Sequence, residues 1–235
     1  MRVIIFGATG MVGQGVLREC LLDSGVDRVR VVGRSPTGVQ HPKLLETVHA
    51  DSWNYGAIES DLSGFDACFY CLGVTSAGMK EAEYERITYG IAMAAAETLA
   101  RLNRGVNSPG MTFIFVSGAG ADSSERGRLM WARVKGKTEN AIMRLPFEAA
   151  YAFRPRIIVP VHGARSKTRA YRVLYGMMKP ILPMLQRAFP KQVLTTEAIG
   201  LAMLQVARTG AKKRVLETAD IREVVSRLKR RSEQL

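Results

Sequence analysis

The first thirteen residues constrain this chain more than any others. The apolar run Arg2-Val3-Ile4-Ile5-Phe6 leads directly into Gly7-Ala8-Thr9-Gly10-Met11-Val12-Gly13. A short strand, three glycines at G-x-x-G-x-x-G spacing and then a helix are how a dinucleotide-binding βα unit begins. The first glycine lets the chain turn off the strand, and the second lets backbone approach a pyrophosphate. The third lets the helix pack closely on the strand, with its N-terminal N–H groups aimed at the phosphates. Glycine triplets also serve plain turns, so the surroundings decide. Here Val16-Leu17-Arg18-Glu19-Cys20-Leu21-Leu22 continues with helical apolar spacing and stops near Gly25. A second strand, Arg28-Val29-Arg30-Val31-Val32, then ends at Gly33-Arg34-Ser35-Pro36.

Strands and helices go on alternating, which predicts an α/β Rossmann fold, a doubly wound parallel sheet with helices on both faces. Further strands are expected at 45–49, 67–72, 111–116 and 149–153, and helices at 55–60, 81–103 and 126–145. The boundaries drawn are a dinucleotide-binding domain over 1–156 and a small C-terminal addition, 157–235, integrated with it. That tail reads as short helices and prolines, a late strand near 214–217 and a closing basic helix over 221–231.

Three cysteines fit a reducing compartment, and the chain reads as cytoplasmic, beginning at Met1. Cys68 and Cys71 stand in an apolar, strand-like run rather than at a helix start, so they read as core residues and not as a redox pair. The net charge of +13 is lopsided: residues 1–110 hold ten Lys/Arg against twelve Asp/Glu, and residues 111–235 hold 24 against nine. The C-terminal part is therefore expected to face something anionic. Between Ala164 and Lys191, seven cations alternate with large apolar residues. Three readings stay open: an amphipathic cover over the core, a lid for an acidic substrate, or a peripheral docking surface for an anionic membrane or acidic partner. Arg227-Leu228-Lys229-Arg230-Arg231 carries no accompanying nucleic-acid motif and reads as a solvated terminus.

NAD-binding units usually place an acidic residue at the end of the second strand, for the ribose 2′-hydroxyl. Arg34-Ser35 stands there instead. A guanidinium and a hydroxyl suit a 2′-phosphate, so NADP is expected ahead of NAD.

With Gly7, Gly10 and Gly13, the pairs Val116-Ser117, Lys135-Gly136 and Arg154-Pro155 and the triplet Cys71-Leu72-Gly73, the chain resembles the atypical and extended short-chain dehydrogenase/reductase superfamily. More narrowly it resembles NAD(P)-dependent epimerase/dehydratase-like proteins related to the Tat-interacting oxidoreductases. The resemblance implies an oxidoreductase or epimerase acting on a small molecule, and a possible oligomer through two long helices. It implies that the 7–13 loop faces the pyrophosphate and that Asp51 and Ser52 lie beside the adenine. Leu72-Gly73, between Cys71 and Val74, would line the ribose–nicotinamide side, with Arg154-Pro155 nearby. Ser117 would position a substrate oxygen, and Lys135 would hold the nicotinamide ribose. The tyrosine of the family's Tyr-x-x-x-Lys is replaced by Trp131. An indole N–H donates a hydrogen bond but does not ionise usefully, so the ordinary proton donor is missing. Trp131 reads either as a stacking surface for nicotinamide or a flat substrate, or as a residue packing into the core. Tyr84, Tyr89, Ser76 and His162 are the substitute acids to consider. A non-catalytic NADP-binding sensor or scaffold is the alternative function.

Overall fold

The computed structural model describes residues 1–104, 110–164 and 192–232, with no side chains described beyond Arg230. The sheet is built from β1 (Arg2–Phe6), β2 (Arg28–Gly33), β3 (Leu44–Val48), β4 (Ala67–Tyr70), β5 (Thr112–Val116), β6 (Ala149–Arg154) and a late strand, β9 (Val215–Glu217). All pairings are parallel, in the order β3-β2-β1-β4-β5-β6-β9. This is the doubly wound α/β order expected from the alternation.

A parallel sheet covered on both faces needs strands that are apolar on both sides. β1 shows this directly. Val3 and Ile5 enter the core beneath α1 (Met11–Leu22), whereas Ile4 and Phe6 enter the core on the opposite face. That second core is closed by α2 (Glu59–Leu62), α4 (Ile91–Leu102) and α5 (Met130–Met143). α3 (Glu81–Glu85) runs into α4 through one π-helical turn, Arg86–Gly90, so the helix expected over 81–103 is present with a widened turn inside it.

The helix expected from residue 126 begins four residues later. Asp122 accepts from the backbone N–H groups of Ser124, Arg126 and Gly127, which holds that stretch as a loop. A larger departure lies in the tail, where a helix of 14 residues, α6 (Thr196–Thr209), was expected to be only short pieces. It crosses α1 closely: a Cβ on Gly15 would lie 2.5 Å from Thr196 Cβ, and one on Gly200 3.2 Å from Val16 Cα. α7 (Thr218–Ser232) follows β9 and buries Ile221 and Val225 on the α1 side of the sheet. β7 (Ile157–Val159) and β8 (Val193–Thr195) form a separate parallel pair. Residues 192–232 thus complete the same sheet and core. The basic stretch from 165 to 191 and the turn at 105–109 lie outside the described residues.

Cys68 is fully buried on β4, and burial raises its thiol well above the ordinary range. Burial pushes the Cys71 thiol up to about 12. Among the described residues, no helix is long and apolar enough to cross a membrane.

Candidate active site

The strand order reverses between β1 and β4, so the loops leaving their carboxyl ends diverge and open a crevice. Gly7 starts the first of these loops at φ +82°, where a Cβ would lie 2.7 Å from the Leu72 nitrogen of the second. Gly13, in the first turn of α1, sits so near the strand end that its Cβ would fall 2.1 Å from the Gly7 oxygen. No other residue fits at either place. Between them, the Gly10 N–H donates to the Gly7 carbonyl at 2.9 Å, and Gly10 begins α1. The helix has no side-chain cap and no acidic residue in its first turn, which leaves its positive end open toward the crevice. Ala8 is buried, while Thr9, Met11 and Val12 are partly exposed along the loop.

The loop after β5 forms the next wall. Ser117 donates its N–H to the Phe153 carbonyl at 2.8 Å, and Ala119 donates to Pro155 at 3.0 Å, so β6 fixes the loop from one side. Asp122 fixes it from the other, donating its N–H to Ala132 of α5 at 2.9 Å. The Asp122 carboxyl is held below its ordinary range, chiefly by the Ser124 hydroxyl. Within this frame Ser117 is 7% exposed, and its hydroxyl has no hydrogen-bond partner among the described residues. Lys135 reaches the same loop: its Nζ lies 3.9 Å from the position a Cβ would take on Gly118. Burial lowers the Lys135 ammonium from the usual 10.5 to about 8, against the opposing pull of Glu139. One helical turn earlier, the partly buried Trp131 indole rests on Gly120, with ring carbon Cη2 3.4 Å from where a Cβ there would stand. Its ring therefore packs on the loop that carries Ser117.

The other expected residues fall into three groups. Leu72, Gly73 and Val74 are exposed beside Gly7, and Leu72 and Val74 offer apolar surface at the crevice; Cys71 is partly buried and donates its N–H to Phe6. Arg34 and Ser35 are exposed at the end of β2, while Asp51 accepts the Trp53 N–H at 2.8 Å in the loop after β3, next to the half-buried Ser52. Arg154, expected at the cofactor, is occupied elsewhere. Its Nε donates to Glu139 at 3.0 Å, Nη1 to Glu217 at 3.3 Å and Nη2 to Ser123 at 2.6 Å. With every guanidinium nitrogen engaged it is a structural clasp, and Pro155 contributes a carbonyl that holds the β5 loop.

Among the substitute acids, Tyr84 is 1% exposed and burial raises its phenol further, while the Lys137 ammonium lies over the Tyr89 ring at 4.9 Å. Ser76 is half-buried in the loop after β4. His162 bonds Glu197 at 2.8 Å and lines a cleft of about 700 Å³ with Thr9, Gln14, Arg18 and His41. Asp122 and Glu139 were not picked out from the sequence. The signal for Asp122 was present, since Asp followed by Ser124 and Gly127 marks a side-chain-closed turn.

No protein-family model matches the chain. It is 33% identical over 180 residues to Protein FMP52-2, mitochondrial, of Scheffersomyces stipitis, covering 74% of this chain and 73% of that protein. Protein FMP52, mitochondrial, of Chaetomium globosum is 30% identical over 180 residues, covering 73% and 74% respectively. Three solved structures share the fold. MoeE5 in complex with UDP-glucose and NAD matches with a TM-score of 0.62 at 18% identity, covering 96% of this chain and 80% of that one. Human epimerase family protein SDR39U1 with NADPH matches at 0.57 and 14%, covering 94% and 77%. A short-chain dehydrogenase/reductase from Saccharomyces cerevisiae matches at 0.59 and 14%, covering 93% and 96%. The expected cytoplasmic location is corrected by the relatives, which are named as mitochondrial proteins. At this identity and mutual coverage, the chain belongs to the FMP52 family.

Proposed function

We propose that this protein binds a nicotinamide dinucleotide, NADP in preference to NAD, and acts on a small molecule as an oxidoreductase or epimerase-like enzyme. The reading keeps the kinship with Tat-interacting oxidoreductases that the motifs imply. The observation that carries it is the Ser117 hydroxyl. A buried polar group without a partner is destabilising by roughly 1–3 kcal/mol, and an arriving substrate oxygen would offset that. It lies at the carboxyl end of the sheet, where ligands bind in this fold.

The residues present fit a dinucleotide. The uncapped start of α1 suits a pyrophosphate, and the exposed Leu72 and Val74 suit a flat apolar ring. Arg34 and Ser35 would hold a 2′-phosphate, with Asp51 and Ser52 beside the adenine. When bound, the dinucleotide supplies or accepts the hydride. Ser117 orients the substrate oxygen, and Lys135 holds the ribose hydroxyls on the nicotinamide side. The NAD seen with MoeE5 and the NADPH seen with SDR39U1 support the cofactor class.

Titration of the purified protein with NADPH and NADH, followed by nucleotide fluorescence, tests the cofactor. NADPH is expected to bind more tightly, and Arg34→Ala to weaken it about tenfold or more while leaving NADH unchanged. Failure of both nucleotides to bind would overturn the reading.

Trp131 favours a second reading, a non-catalytic NADP-binding sensor or scaffold. The basic C-terminal part of the chain would then dock an anionic membrane or acidic partner. A Trp131→Tyr variant separates the two. Carbonyl reduction gained over an inactive parent fits the sensor, and turnover by the parent removes it.

A further inference from the structure

Hydride transfer to a carbonyl needs a proton for the oxygen, and position 131 offers an indole that does not supply one. Tyr84 is sealed within the helix that precedes α4, and Tyr89 lies beneath the Lys137 ammonium. His162 is bonded to Glu197. With the Asp122 carboxyl engaged by Ser124, Arg126 and Gly127, Lys135 is the ionisable group left on the wall that carries Ser117 among the described residues.

We propose that Lys135 is the acid and base of the reaction, its ammonium passing a proton to the substrate oxygen that Ser117 holds. This rests on the dinucleotide reading above. Three observations carry it. Lys135 follows Trp131 by one helical turn, so both face the β5 loop, and Nζ ends 3.9 Å from the Cβ position of Gly118, the residue that follows Ser117. Among the described residues no carboxylate bonds it. Glu139, on its own helix, is taken by Arg154; Glu81 and Glu85, on the facing α3, are taken by Arg133 and Lys137; and Asp122, on the β5 loop, is taken by Ser124, Arg126 and Gly127. Finally, burial without a bonded counter-charge brings the amine within reach of neutral pH, where an acid–base group is most effective.

The step balances. A bound reduced nicotinamide would supply the hydride to the carbonyl carbon and be oxidised; as the C=O π pair moves to oxygen, that oxygen takes a proton from the Lys135 ammonium. The substrate leaves as an alcohol, and the neutral lysine amine regains its proton from water. Oxidation runs the same transfers in reverse.

Reductive methylation with formaldehyde and cyanoborohydride, mapped by peptide mass spectrometry between about pH 6 and 10, reports the amine without any turnover. Lys135 is expected to label with a midpoint near pH 8, well below that of Lys213, whose ammonium the Asp220 carboxylate holds above the ordinary range. A midpoint shared with Lys213 overturns the proposal. Turnover is then read with NADPH and 4-nitrobenzaldehyde. The parent rate is expected to fall as the pH rises past the labelling midpoint. Lys135→Arg keeps the charge but cannot give up a proton, so NADPH affinity should hold within about threefold while kcat drops on the order of a hundredfold. Adding Trp131→Tyr to Lys135→Arg should restore part of that loss, which a residue serving only to hold ribose would not show. An inactive parent, or kcat retained in Lys135→Arg, overturns the proposal. Failure of NADPH to bind the parent overturns the dinucleotide reading itself.

Discussion

A buried hydroxyl with nothing to bond is destabilising, and Ser117 keeps one at the rim of the crevice. Removing it should therefore do little harm to the fold. Ser117→Ala is expected to unfold in urea at the parent's midpoint or up to about 1 kcal/mol above it, because no partner is left stranded. In contrast, the same variant should lose turnover on the order of a hundredfold through the missing contact to substrate oxygen. Equal loss of stability and activity would mean that the hydroxyl is merely structural. Ser117 was singled out in the sequence through the family resemblance alone, which expects a substrate-facing serine straight after the fifth strand. The clasp made by Arg154 was not. Its main partner, Glu139, lies on another element, and no spacing along the chain pairs them.

Among elements, the crossing of α1 and α6 depends on two glycines that let the backbones approach. A methyl on Gly15 would meet the Thr196 backbone oxygen at 2.8 Å, an atom that cannot swing aside. Gly15→Ala should cost about 1–3 kcal/mol, read as a lower urea midpoint, through forced separation of the helices. The early elements were legible because their apolar periods are regular. α6 was obscured by the prolines and cations just before it, although its start signal was there: Thr195 caps the helix by accepting the Ala198 N–H at 3.0 Å, with Glu197 in the first turn. The π-helical turn at Arg86–Gly90 leaves no mark in composition or apolar spacing.

At the scale of the molecule, the parallel sheet followed from the alternation of strands and helices, and the late strand expected near 214–217 is β9, which joins the sheet beside β6. Arg154 is what ties it in, joining Glu139 on α5 to Glu217 on β9. Arg154→Met would strand Glu139, whose side chain is 0% exposed, without a counter-charge. Stability should fall by about 3–5 kcal/mol, and Arg154→Met with Glu139→Leu should recover most of it. A double variant no more stable than the single one would argue against the clasp. The charge imbalance was plain in composition, yet much of it lies in 165–191, and composition alone does not assign a partner to it.

The pairing of β7 with β8 has a consequence for descent. Ile157, Ile158 and Val159 lie in register with Val193, Leu194 and Thr195, and the Val161 N–H donates to Thr196 Oγ1 at 3.2 Å. The described residues on either side of 165–191 are thereby joined to each other and to the start of α6. A chain closed by such a pair can change in length between its two strands while the sheet and the glycine loop are inherited unchanged.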